Sequence, residues 1–312
     1  MISIIIATHQ RPTQLQRCLQ SISANIYKHY EVIIIDQSKN KQTQKVVTHF
    51  HDPHFIYVHE KKQNKSAALN QGMKKAKGNI FAFTDDDCIV SKNWLTTIQS
   101  GFSSYKNVDG MFGSTTPYRQ KKHPHAHCVS IYQQKQNSFI FHPCKHSKNI
   151  GYGNNMAWRQ SVCKNNFFST WLGPHSIGKN AEDAEFTIRQ LIQGKIVFCN
   201  KRMLVYHDHW LNKKENQKQN LIYIHAEMAC YGYFALLGWK FAKKIICQNF
   251  IASARDIKRF FGDIIKRRQY KLDRWAFFFQ LFNARIYGYG VGCIYVIQYS
   301  LKKLLNKGSQ LR

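Results

Sequence analysis

The sequence predicts an α/β chain: a doubly wound, mostly parallel sheet followed by a basic helical extension. Three observations carry this. Short apolar runs rich in β-branched residues recur at 2–7, 31–35, 55–58 and 80–83. Amphipathic segments of helical period separate them, the pattern of βαβ units. From about residue 212 strand signals stop, and basic, aromatic-rich helical sequence takes over.

Ile2 to Ala7 reads as a buried strand, broken by 8–12, where Pro12 suits a first helical turn. Leu15, Cys18, Leu19 and Ile22 mark one face of that helix. Glu31 to Ile35 is a second strand ending at Asp36, Gln42 to Phe50 a helix, and Phe55 to Val58 a third strand. Lys65 to Ala76 is helical and stops at Lys77-Gly78-Asn79. The fourth strand, Ile80 to Phe83, runs into Thr84-Asp85-Asp86-Asp87, and a helix begins near Trp94. Beyond it the pattern loosens. Asp109 to Thr115 reads as a strand, and 117–150 as a basic, His-rich loop or hairpin insert. Residues 151–157 read as a turn, Glu182 to Gln193 as a helix ended by Gly194, and Lys195 to Cys199 and Met203 to Tyr206 as two short strands. The polar run 213–218 is a hinge candidate. The expected organisation is a catalytic domain over 1–211, with a nucleotide-binding half (1–110) and an acceptor half (111–211), and an extension over 212–312.

The 312 residues carry 46 Lys and Arg against 17 Asp and Glu, a formal charge of +29. Such a field favours phosphorylated substrates, anionic membrane surfaces or nucleic acid. Nine scattered cysteines suggest reduced thiols in a cytosolic compartment. The N-terminus lacks the basic start of a signal peptide, and no apolar run reaches the length of about 18 residues expected of a membrane span.

The acidic triplet is the centre of the chemical reading. Acids at the carboxyl end of a buried strand lie where open α/β sheets bind ligands. Adjacent carboxylates repel unless a cation sits among them, and Mg²⁺ or Mn²⁺ takes such oxygens together with substrate phosphates. The alternative is a solvated turn at the head of the next helix.

Taken in order, 4–11, 33–38, 64–72, 78–87, 153–157 and 181–186 resemble the family-2 glycosyltransferases, inverting enzymes of the GT-A fold, over roughly residues 1 to 210. The resemblance implies a nucleotide diphosphate-sugar donor, a saccharide or lipid-linked hydroxyl acceptor, and a divalent metal, Mn²⁺ or Mg²⁺. It assigns the donor nucleotide to Thr8, Arg11, Asp36, Lys65, Asp85 and Asp86. It assigns the metal to Asp87, Asp85 and His207, and the acceptor side to Asn154, Asn155 and Glu182. Asp183 becomes the general base that deprotonates the acceptor. Gln37 stands where the family often has a second acid, and Ala181 where it more often has Gly. Each residue also has a plainer reading: Asp36 as a turn carboxylate, Arg11 as a surface charge, Glu182 and Asp183 as an acidic first helical turn, and His207 as a surface imidazole.

Two features stand outside the resemblance. His123, His125, His127, Cys128, His142, Cys144 and His146 have a zinc-like composition without zinc-finger spacing; acceptor contact is the rival reading. Residues 212–312 hold 19 Lys and Arg against five Asp and Glu, interleaved with aromatics. These helices either pack on the core or lie on an anionic leaflet, which would make a cytoplasmic protein peripheral at the inner membrane face. The competing functions are a sugar-phosphate nucleotidyltransferase, whose Gly-rich phosphate loop is missing from 8–12, and a nucleic-acid-binding protein, for which no groove-reading or stacking motif appears; no specific nucleic-acid partner is expected.

Overall fold

The computed structural model describes residues 1–119, 126–143, 150–265 and 272–309. His123, His125, Cys144 and His146 of the His/Cys cluster lie outside them. The described chain divides into two compact units, Met1–Thr170 with Glu182–Lys213, and Trp171–Ala181 with Lys214–Arg312.

In the first unit, β1 (Ile2–Thr8), β2 (Tyr30–Asp36), β3 (Phe55–His59) and β4 (Ile80–Phe83) form a parallel block in the order β3-β2-β1-β4. Helices α1 (Pro12–Ser23), α2 (Gln42–His49) and α3 (Lys65–Lys75) connect them. β1, β2 and β4 read as near-continuous apolar runs because both faces are covered, while the edge strand β3 is half-buried. Successive side chains alternate between faces, so Ile4 and Ile6 pack with Leu15, Leu19 and Trp94, while Ile5 packs with Leu69, Phe81 and Phe83.

The other half of the sheet is mixed. After β4 come β5 (Cys88–Val90), α4 (Trp94–Ser104), β6 (Gly110–Pro117), and the short β7 (His127–Cys128) and β8 (Ser138–Ile140). Then follow β9 (Met156–Arg159), α5 (Gln160–Cys163), α6 (Glu182–Ile192), β10 (Val197–His207) and β11 (Trp210–Leu211). The main sheet continues past β4 as β9-β6-β10-β5, with β8 also on β10. β9 runs antiparallel to both β4 and β6, and β5 antiparallel to β10.

Three expectations change here. The turn over 151–157 is shorter: a 3-10 turn at Gly153–Asn155 delivers the chain straight into β9. The acidic triplet leads into a strand, β5, before the Trp94 helix begins. The two strands expected over 195–206 are one strand, β10, whose register against β6 shifts between Cys199 and Leu204. The polar residues 200–202 between the two expected ranges form this irregularity, closed locally by the Arg202 N–H donating to Asn200 Oδ1 at 3.0 Å.

Asn155 ties this half together. Its Oδ1 accepts from Trp94 Nε1 at 2.9 Å, and its Nδ2 donates to the carbonyls of Ser114 at 2.8 Å and Met203 at 2.9 Å. Helix α4 and strands β6 and β10 thus share one fully buried amide. The acceptor-side reading of Asn155 is therefore corrected: its side chain is committed to the fold.

The second unit holds α7 (Lys213–Leu236), α8 (Lys240–Ile265) and α9 (Leu272–Ser309). The run 213–218 forms the start of α7, and the division between the two units falls at its first residues. Gly288 and Gly292 let α9 approach α7 closely; a Cβ there would meet the backbone oxygens of His225 and Ala229 at 2.2 and 2.3 Å. Trp171 stacks on Tyr295, ring centroids 4.4 Å apart, and the His225 ring meets the Ile177 carbonyl. The segment 171–181 is thereby held by the helices of this unit. No described helix is long and apolar enough to cross a membrane.

Asn155→Ala would strand three buried partners at once. Each costs on the order of 1–3 kcal/mol, so equilibrium urea unfolding is expected to show a loss of about 3 kcal/mol; a loss under about 1 kcal/mol would contradict the brace.

Candidate active site

The site grows from the turn between β4 and β5, closed by the Cys88 N–H donating to the Asp85 carbonyl at 3.1 Å. Three carboxylates on so short a turn repel one another, and the fold gives each its own set of partners, with Arg11 shared between two of them. Asp85 pairs with Lys65 Nζ at 2.7 Å. Asp86 accepts from Thr8 Oγ1 at 2.7 Å and from Arg11 Nη1 at 3.2 Å. Asp87 takes Arg11 Nη1 at 2.7 Å, His207 Nε2 at 3.1 Å and His209 Nδ1 at 3.4 Å. Thr8 ends β1, Arg11 precedes α1 and Lys65 opens α3, so the carboxyl edge of the parallel block supplies these partners.

Strand pairing places the histidines. β5 runs antiparallel to β10 with Cys88 opposite His207, and the Asp208 N–H donates to the Asp87 carbonyl at 2.9 Å. Along this extended segment His207 and His209 point one way and Asp208 the other, where Arg17 Nη1 holds it at 2.5 Å. His207 Nδ1 meets the Val129 carbonyl at 2.7 Å. A carbonyl can only accept, so that nitrogen carries the proton and Nε2 is turned to Asp87, the arrangement found in metal-ligating histidines.

The electrostatics follow. Burial and the adjacent Asp87 charge push Asp86 up to about 7, against Arg11 and Thr8. Burial also acts to raise Asp87, but its His207 contact and Arg11 outweigh it and hold Asp87 well below the usual carboxylate range. Burial disfavours a charged His207, yet its contact with Asp87 wins and pushes it up to about 10.

Asp87, His207 and His209 each offer one ligand atom, and the three atoms lie within 4.8 Å of one another, the one such group among the described residues. One carboxylate and two imidazoles fit a divalent cation; the nitrogen donors suit Mn²⁺ better than Mg²⁺. Two expectations shift. Asp85 is not in this group, because Lys65 holds it, and His209 joins it. The i, i+2 spacing of His207 and His209 on a strand end was the available signal, since alternate residues share a face.

A second set lies at the start of α6. The Gly153 N–H donates to Asp183 Oδ2 at 2.6 Å, and Asp183 Oδ1 caps its own helix through the Ala184 N–H at 2.8 Å. A Cβ on residue 153 would sit 2.8 Å from the Asp183 Cβ, so this approach requires glycine. Ala181, two residues before, has φ +70°, the left-handed region that favours glycine; the residue type the family more often carries here matches that backbone. Glu182 is buried, with Oε1 3.5 Å from Lys65 Nζ and no hydrogen-bond partner at Oε2. Lys65 therefore links the acidic turn to the head of α6. Burial opposes its charge, but Asp85 and Glu182 outweigh that and raise its pKa well above the ordinary value.

The remaining expected residues are placed as follows. Asn154 is buried, accepts from Thr115 Oγ1 at 3.0 Å, and leaves its Nδ2 without a partner. Asp36 is fully buried, taking the Ser38 N–H on Oδ1 at 2.9 Å and the Tyr57 hydroxyl on Oδ2 at 2.8 Å. In this arrangement it braces the β2 turn. Thr8 and Arg11 are engaged with the acidic turn rather than with Asp36. Further along α6, outside the expected set, Arg189 pairs with Glu185 one turn earlier at 2.9 Å. Of the His/Cys cluster, Cys128 donates to the His207 carbonyl, and the described members form no metal-ligating group of three.

Residues 3–167 match the family described as Glycosyl transferase family 2. The chain belongs to glycosyl transferase family 2. Among its relatives is the glycosyltransferase AglE of Haloferax volcanii, 29% identical over 99 residues, which span 30% of this chain and 33% of AglE. Another is WfaP of Escherichia coli, named as a UDP-Glc:α-D-GlcNAc-diphosphoundecaprenol β-1,3-glucosyltransferase, 28% identical over 123 residues, 39% of this chain and 47% of WfaP. The chain thus matches less than half the length of each. The mannosyltransferase PcManGT of Pyrobaculum calidifontis, solved with GDP-Man and Mn²⁺, superposes with a TM-score of 0.59 at 13% identity, covering 91% of this chain and 86% of its own. The fold of this family-2 chain is the GT-A type.

Burial, then the Asp183 charge, pushes Glu182 up to about 7 from 4.5, with Lys65 opposing. The folded state holds this proton more tightly than the unfolded chain. Its stability contribution is therefore full below about pH 4.5 and is lost as pH rises to about 7. Glu182→Gln is expected to remove a decline on the order of 1–3 kcal/mol across that window. Urea midpoints of the two proteins at stepped pH check it; parallel curves would contradict it.

Proposed function

We propose that this family-2 chain is a metal-dependent, inverting glycosyltransferase moving a sugar from a nucleotide diphosphate-sugar to a hydroxyl acceptor in surface polysaccharide or glycolipid synthesis. The observation that carries this reading is the pairing of two features in one compact unit: a carboxylate–imidazole group on the acidic turn, and Asp183 held by two backbone N–H groups at the head of α6. Asp87, His207 and His209 would hold the cation, Mn²⁺ in preference to Mg²⁺. When bound, such an ion supplies Lewis-acid stabilisation of the negative charge on a departing nucleoside diphosphate.

In the proposed reaction Asp183 takes the proton of the acceptor hydroxyl. The hydroxyl oxygen forms its bond to the anomeric carbon as the bond from that carbon to the diphosphate oxygen breaks, and the electron pair leaves with the diphosphate. One displacement inverts the anomeric centre. A positioned base typically contributes roughly 10²–10⁴-fold. Gly153 fixes which way Asp183 faces. Lys65, through Asp85 and Glu182, keeps the donor side and the base side in register. Asn154, whose Nδ2 has no hydrogen-bond partner, and Arg11 are the polar groups assigned to acceptor and donor.

GDP-Man in the PcManGT complex and UDP-Glc in the WfaP name support a nucleotide-sugar donor and differ in the base. The diphosphoundecaprenol in the WfaP name supports a lipid-linked acceptor, which would bring the enzyme to a bilayer surface. Family membership favours this reading over a sugar-phosphate nucleotidyltransferase.

A thermal-shift panel of UDP- and GDP-sugars with Mn²⁺ tests it. One donor is expected to raise Tm only when metal is present; a donor at 100 times its Kd adds about 2.7 kcal/mol. Asp183→Asn should keep that shift and lose at least about 100-fold in released nucleoside diphosphate. No shift across the panel with or without metal, or undiminished turnover in the variant, would overturn the proposal.

A further inference from the structure

We propose that the second unit carries a docking surface for anionic phospholipid, built from the outward faces of α8 and α9. On α8, Lys240, Lys243, Lys244, Arg255 and Lys258 are all exposed and recur at helical spacing, with Ile251 exposed among them. The opposite side, at Ala242, Ile246 and Ser253, is buried. The turn leading into this helix exposes Leu236, Leu237 and Trp239. No Asp or Glu occurs between Glu227 and Asp256, the stretch that carries Lys240, Lys243 and Lys244.

Helix α9 supplies the apolar part. It packs on α8 through Arg285 Nη1 to Ser253 Oγ at 2.8 Å and through the Phe250 and Tyr289 rings. As α8 is followed backward from 253 to 250, α9 runs forward from 285 to 289, so the two helices lie antiparallel. Away from that contact Ile286, Tyr287, Ile294 and Ile297 are exposed, Tyr287 by 69%. Between Trp275 and Ser300 the one charged residue is Arg285, which is buried. Beyond the span the sequence is basic on both sides: Lys271 and Arg274 before it, Lys302, Lys303 and Lys307 after it, and no acid follows Asp273.

Charge decides the occupant. A second copy would bring two strongly basic units together, and they would repel. Nucleic acid would satisfy the lysines and leave the isoleucines in water. An anionic bilayer surface satisfies both, taking apolar side chains at the acyl boundary and cations at the headgroups. This inference shares with the proposed function only the idea of a membrane-borne acceptor, and its test needs neither donor nor acceptor.

The full chain is mixed with vesicles of phosphatidylcholine alone, or with about 30% phosphatidylglycerol, and co-sedimented. Binding is expected to the anionic vesicles alone and to weaken with salt. Lys240→Gln/Lys243→Gln/Lys244→Gln should lower the partition coefficient by about 100-fold. Ile294→Ser/Ile297→Ser should lower it at unchanged Tm. The inference is overturned if anionic vesicles fail to bind at low salt, if the triple variant binds as well as the parent, or if the serine variant instead dissolves a dimer seen by sedimentation velocity. The donor-induced Tm shift, read in parallel without vesicles, reports on the catalytic reading separately.

Discussion

Three carboxylates on one short, largely buried turn are the constraint the first unit is built around. Isolated, such a cluster would repel and would neutralise by taking up protons. The fold supplies a different cation to each flank: Lys65 to Asp85, Arg11 across Asp86 and Asp87, His207 to Asp87. These partners come from three places in the sequence, and they meet the acids that follow β4 only when β1, α3 and β10 are in register with it. The arrangement is under-neutralised around Asp86, whose proton affinity stays high, and over-supplied at Asp87, where Arg11 and two imidazoles converge. A dication at Asp87 would replace imidazole charge with its own, so these groups suit a ligand of high positive charge density.

The same geometry connects the two ends of the proposed reaction. Lys65 touches Asp85 on one side and Glu182 on the other, and Glu182 precedes the base on α6. Removing the lysine charge would leave two buried or half-buried carboxylates facing each other, which gives its position a structural reason as well as a donor-side one. Backbone conformation adds a second restraint. Ala181 enters α6 through a left-handed residue, and Gly153 lets its own N–H reach Asp183 without a side chain in the way. Asp183, the proposed base, is thus held by main-chain groups, which do not change rotamer.

Much of this was legible in the sequence where burial on both faces writes long apolar runs, as in β1 and β2, and where chemistry is packed into adjacent letters, as in Asp85–Asp87 and Glu182–Asp183. What was not legible depended on partners far along the chain. β9 is four residues whose strand character comes from lying between β4 and β6. β5 is three residues that look like the tail of a turn until β10 pairs with them. Asn155 stands in a motif that suggests substrate contact, yet its amide is consumed by Trp94, Ser114 and Met203. His209 rather than Asp85 joins the candidate metal group for the same reason: by sequence alone, an acid paired with a lysine is indistinguishable from an acid facing a metal ion.

Asp87, with His207 and His209, is proposed to gather a divalent cation on the acidic turn. Titrating the protein with Mn²⁺ and following free ion by electron paramagnetic resonance tests it most directly, without donor or acceptor. The account predicts one saturable site per chain that disappears in Asp87→Asn and persists in Asp85→Asn. A site that survives loss of Asp87, or the absence of any stoichiometric binding, would contradict it.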